Sequence, residues 1–110
     1  MKKCILRLLA VLLGLPLLLV LIVGVAFLIS NRTNGKLELA SETRRYLLYV
    51  PESYDPTTPT PLVITIHGFA QWPAHQMEIS GWNKLADEHG FIVVYPMGTG
   101  FPLRWSAYGA

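Results

Sequence analysis

The stretch "SGWNKLADEHGFIVVYP", Ser80–Pro96, decides the reading of the fold. Ser80 suits a helix N-cap, since its hydroxyl can accept from an unpaired N–H of the first turn. Trp82, Leu85 and Ala86 then fall at i, i+3 and i+4 and form one apolar stripe, while Lys84, Asp87 and Glu88 point elsewhere. Gly90 stands where a left-handed glycine ends a helix. "FIVVY" (Phe91–Tyr95) follows without alternation, as in a strand buried on both faces, and Pro96 closes it.

Upstream lies "PLVITIHGFAQW", Pro61–Trp72. Leu62–Ile66 is a second continuous β-branched run and predicts another buried strand. Strand, loop, helix and strand within about 35 residues make a βαβ unit with parallel strands. Before it, Lys36–Ala40 and Arg44–Val50 read as two strands, with Ser41-Glu42-Thr43 between them as a hairpin turn. "PESYDPTTPTP" (Pro51–Pro61) has four prolines in eleven residues, too few ladder donors for a strand, and reads as an exposed loop. The fold class is α/β: an antiparallel hairpin and then a parallel βαβ unit.

The N-terminus is of another kind. Leu8–Ile29 is 22 residues without a charge, about 33 Å as a helix and enough to cross a hydrocarbon layer of about 30 Å. Lys2, Lys3 and Arg7 precede it. That asymmetry predicts a single-pass signal anchor over residues 1–30, with the remainder outside the cytoplasm. Gly24-Val25-Ala26 offers small residues for a signal-peptide cleavage site, so secretion after cleavage is the alternative. Residues 31–36 are a polar, turn-rich linker, and 37–110 form the folded portion. Asn31-Arg32-Thr33 matches a glycosylation sequon.

Beyond residue 30 there are six Lys and Arg against seven Asp and Glu, so the formal charge of +2 belongs to the membrane flank. No basic patch with interleaved aromatics is present, which disfavours nucleic acid as a partner. Cys4 is the single cysteine, so no internal disulfide forms. No metal-binding or phosphate-cradling motif occurs, and no cofactor is expected.

In α/β sheets ligands bind beyond the carboxyl ends of strands. Two segments leave such ends: "HGFAQWPAHQM" after the first buried strand and "PMGTGFPLRWSAYGA" after the second. Gly68 lets the backbone turn where a side chain would clash. Backbone N–H groups held there can meet the oxyanion that develops in acyl transfer. Phe69 and then Ala70 are the candidate donors, with His67 and Gly68 supporting the loop. A plain strand-end turn with a satisfied histidine is the competing reading. Trp72 and Trp105 are candidate substrate contacts. His75 has no partner spacing for a metal, and His89 suits a helix C-terminus.

Taken together, "RRYLLYVP", "PLVITIHGF", "SGWNKLADEHGFIVVYP" and the later tryptophan resemble the N-terminal part of the esterase family that contains polyhydroxybutyrate depolymerases and feruloyl or acetylxylan esterases, which are α/β-hydrolases. The resemblance covers roughly Arg44–Ala110. It implies a serine esterase acting on carboxylic esters, an oxyanion N–H on Phe69, and a substrate-side position for Trp105. The chain departs from the pattern in three places. Ser106 follows the tryptophan where the family often has asparagine, and Met97 stands where it often has an acidic residue. No G-x-S-x-G elbow is present, and none of Ser30, Ser41, Ser53, Ser80 or Ser106 lies between glycines at that spacing. The expectation is therefore an esterase's N-terminal portion, inert by itself because the Ser-Asp-His triad is absent. A non-catalytic membrane-tethered remnant, or a small membrane protein with an incidental soluble part, stays open.

Overall fold

A computed structural model describes residues 2–106 of the chain, so the C-terminal end of the expected 37–110 portion lies outside the described residues. The elements run α1 (Lys2–Ser30), β1 (Gly35–Leu39), β2 (Glu42–Tyr49), β3 (Leu62–Ile64), α2 (Pro73–Ser80), α3 (Trp82–His89) and β4 (Ile92–Pro96).

α1 is long and apolar enough to cross a membrane, a test that a signal sequence near an N-terminus also meets. None of its residues is buried against protein. Its end is tied down by the Asn31 amide, which donates to Phe27 O at 2.9 Å. Asn34 then behaves as an extra rung of the sheet. Its Nδ2 donates to Leu48 O at 2.8 Å, and its Oδ1 accepts the Leu48 N–H at 2.7 Å. Gly35 follows because a Cβ there would fall 2.2 Å from the Tyr46 ring.

β1 and β2 form the expected antiparallel hairpin, with a tighter turn. Leu39 pairs with Glu42, so only Ala40 and Ser41 lie outside the ladder. Ala40 takes φ 48, the positive region that suits a right-twisted two-residue connection. Glu42 and Thr43 are thereby drawn into β2, where the Thr43 hydroxyl donates to Glu38 across the strands.

The four strands lie in the order β1-β2-β4-β3. β4 is central, antiparallel to β2 (Leu47 opposite Tyr95) and parallel to β3 (Val63 opposite Val93). The connection from β3 to β4 therefore crosses over, as the apolar runs predict. It carries two helices where one is expected. Pro73 sits at the start of α2, where its missing N–H costs nothing. Gly81, at φ 70, ends α2 and precedes α3 directly. Ser80 is thus the last residue of α2 and caps nothing. Its hydroxyl is buried without a hydrogen-bond partner among the described residues. Gly90 ends α3 in the left-handed conformation, as expected, and its N–H reaches Ala86 O.

Both helices cover one face of the sheet. Leu47, Val93 and Tyr95 from the strands meet Ala74 and Ala86 from the helices, with Val63, Met77, Trp82 and Phe91 packed around them. Burial pushes the Tyr95 phenol above its ordinary pKa, and its hydroxyl donates to Asn83 at 2.7 Å. The other face is open. Leu62, Ile64 and Ile66 are 57%, 62% and 57% exposed. The expectation that this run is buried on both sides is corrected, since the described residues supply helices to one side only. The β3 ladder also ends at Ile64 rather than Ile66, although the Thr65 N–H still reaches Val94 O at 3.0 Å.

Candidate functional site

β3 and β4 are parallel, so both deliver their following segments to the same end of the sheet. The first segment is shorter than its sequence implies, because α2 begins at Pro73 and takes His75–Met77 out of the loop. His75 is exposed on that helix, and His89 is exposed in the last turn of α3. What remains is His67–Trp72.

His67 is the hub of this end. It is 2% exposed. Its Nε2 accepts the Gly98 N–H at 3.0 Å, and Nδ1 lies 2.8 Å from Gly68 O. A nitrogen that accepts from an amide carries no proton, so the Nδ1 tautomer is set and Nδ1 donates to Gly68 O. Its own carbonyl accepts from Trp105 Nε1 at 2.8 Å, and the two rings meet with centroids 4.9 Å apart. Both ring nitrogens are thus engaged with backbone groups. The close approach depends on Gly98, where a Cβ would lie 2.7 Å from Arg104 O and 3.1 Å from His67 Cε1.

Gly68 to Gln71 form a tight turn. The Gln71 N–H reaches Gly68 O at 3.2 Å, and the Gln71 side chain accepts from the Gly68 N–H at 2.8 Å. The positive φ falls on Ala70 (φ 55), not on Gly68. A Cβ on Gly68 would meet only the flexible end of Gln71, at 2.9 Å. Glycine is therefore less necessary at 68 than its place after the strand suggests.

The two candidate donors differ. Ala70 N–H donates to Leu103 O at 2.8 Å, so it is committed to the second loop. The Phe69 N–H has no acceptor among the described residues, and the Phe69 side chain is 70% exposed. The second loop is a small ribbon. Thr99 and Arg104 exchange N–H···O bonds at 3.0 Å, and Phe101 at its tip is 87% exposed. A cavity of about 430 Å³ lies beside it, lined by Ala70, Trp72, Phe101 and Leu103 together with Phe27 and Arg45. Trp72 thus borders a concavity. Trp105 instead borders a wider one of about 640 Å³ over the uncovered sheet face, with Leu62, Ile64 and Val94.

Sequence reasoning misses Gly98, Leu103 and Gln71, whose contribution is to join or brace the loops. Gly98 has a signal in "GTG", a glycine just past a strand end, but its partner lies 31 residues away. Among the described residues no group of three His, Cys, Asp or Glu side chains could hold a metal ion.

No family model matches the chain. It is similar to a bifunctional acetylxylan esterase/xylanase of Neocallimastix patriciarum, with 37% identity over 62 residues. Those residues are 56% of this chain and span 9% of that relative's length. The match supports a relationship to esterases.

Proposed function

We propose that this chain is the N-terminal portion of a serine esterase acting on carboxylic esters, of the polyhydroxybutyrate depolymerase and feruloyl or acetylxylan esterase kind, held at a membrane by α1 with its folded part outside the cytoplasm. The observation that carries the reading is the Phe69 N–H at the carboxyl end of β3, unengaged among the described residues and held in a turn braced by Gln71 and His67. In that role Phe69 donates to the developing oxyanion, and an external serine, activated by a histidine that an aspartate orients, supplies the nucleophile. Ala70 serves as a second donor if its bond to Leu103 is released. His67 positions the loop, because both of its nitrogens are occupied. Trp72 and Trp105 contact substrate.

The open face of β3 supports the same reading from packing. An apolar edge strand with exposed Leu62 and Ile64 is a surface that further strands and helices of an esterase fold would cover. Alone, the chain has no nucleophile elbow and is inert.

The full chain in detergent is assayed against an aryl acetate, a feruloyl ester and acetylated xylan, and is probed with a serine-reactive fluorophosphonate. No turnover above a denatured control and no labelling are expected. Turnover would refute the assignment of the nucleophile to another segment. The coding sequence beyond Ala110 is expected to contain a G-x-S-x-G within about 60 residues. A stop codon there would favour a non-catalytic, membrane-tethered remnant.

A further inference from the structure

The exit of α1 and the site loops share one end of the sheet. α1 feeds β1 at Gly35; Gly35 pairs with Tyr46, and Tyr46 pairs with Pro96, where β4 ends and the second loop begins. The side chains border one space there too. Phe27, in the last turn of α1, lines the same cavity of about 430 Å³ as Phe101, Pro102 and Trp72. Phe27 is within the uncharged run that ends at Ile29.

We propose that the Gly100–Leu103 tip is a second membrane contact, with Phe101 seated in the interfacial layer of the bilayer that α1 crosses. This rests on the proposed anchor and adds the orientation of the folded portion. A tip within one cavity's width of the last apolar turn of α1 is at the depth of the interfacial layer, which adds about 5–8 Å on each side of the hydrocarbon. Its chemistry fits. Phe101 is 87% exposed among the described residues, and phenylalanine is one of the apolar side chains that interfacial segments bury at the headgroup–acyl boundary. Arg45 borders the cavity, and the exposed Arg104 follows the tip, so two guanidinium groups stand where they can donate to lipid phosphates, which every phospholipid leaflet carries. The cavity beside Ala70 and Trp72 then opens against lipid, and a ligand reaches it from the membrane surface.

The test uses the full chain with Cys4→Ser, reconstituted in phosphatidylcholine–phosphatidylglycerol vesicles. Single cysteines at Phe101, Pro102, Leu19 and Ser53 carry an environment-sensitive fluorophore, and lipids carry a nitroxide at a shallow or a deep position. The Phe101→Cys and Pro102→Cys labels are expected to lose fluorescence to the shallow nitroxide, Leu19→Cys to the deep one, and Ser53→Cys, on the loop at the opposite sheet end, to neither. Quenching at Leu19 without quenching at 101 and 102 overturns the proposal and leaves the anchor standing. No quenching at Leu19 overturns the anchor and the proposal with it. Equal quenching at Ser53 and Phe101 means unspecific adsorption and overturns the proposal alone.

Discussion

Removing the His67 side chain tests the joint between the two loops. His67→Ala leaves the Gly98 N–H without its acceptor in a buried position, at a cost of about 1–3 kcal/mol. It also removes the bond to Gly68 O, worth about 0.5–1.5 kcal/mol, and the ring contact with Trp105. These effects share one site and are not additive, so about 2–4 kcal/mol is expected for opening this end. Amide hydrogen exchange on the full chain in detergent reads it directly. Protection at Gly98 and Thr99 should fall by roughly 30-fold or more, since 1.4 kcal/mol is a factor of ten. Protection at Val93 and Tyr95 in β4 should change less, because the ladder and core there stay intact. His67→Phe restores the ring contact but no bond, and should recover only part of the loss. Unchanged protection at Gly98 in His67→Ala would refute the joint.

Ala70→Gly should raise thermal stability by up to about 1 kcal/mol, because φ 55 strains alanine and not glycine; a lower midpoint in a melt would contradict the Ala70 conformation. Gly98→Ala should destabilise by about 1–3 kcal/mol, since the added methyl would overlap Arg104 O, and denaturant titration checks it. The Asp87 carboxylate accepts from Tyr49 at 2.8 Å and raises the Tyr49 pKa above 10.0. A phenol whose folded pKa is raised contributes stability below its unfolded value and loses it as pH rises through the folded one. Stability should therefore fall above pH 10 less steeply in Tyr49→Phe than in the parent; identical alkaline melting curves would count against the pair. Residues 31–110 without α1 should aggregate through the exposed β3 edge, and a monomer with sharp cooperative unfolding in sedimentation and melting experiments would contradict this.

The hairpin, the crossover and the central strand are legible in the sequence because each is a local pattern of apolar residues bounded by glycine or proline. The helical division is missed although its signals are present: Trp72-Pro73 is a proline at a helix start, and Gly81 follows a plausible last turn. Ser80 draws attention as a cap, yet a left-handed Gly81 makes the same boundary without a side-chain bond. The open face of β3 is illegible because Leu62–Ile66 has the composition of a doubly covered strand, and composition does not say which segment does the covering. At the site, Phe69 and His67 are reachable from the strand-end pattern. The Ala70–Leu103 and His67–Gly98 bonds are not, since they join residues more than 30 positions apart and depend on how the two loops meet in space.

The Asn34 amide has a mechanical consequence. A linker of six polar residues suggests a leash on which the folded part would tumble. By holding both the N–H and the C=O of Leu48, Asn34 shortens the free span to a few residues and clamps it to the sheet. α1 then works as a post, and torque on the helix passes into β2 and not into slack chain. Asn34→Gly would turn the post back into a tether, and with it the fixed stand-off between sheet and helix would be lost.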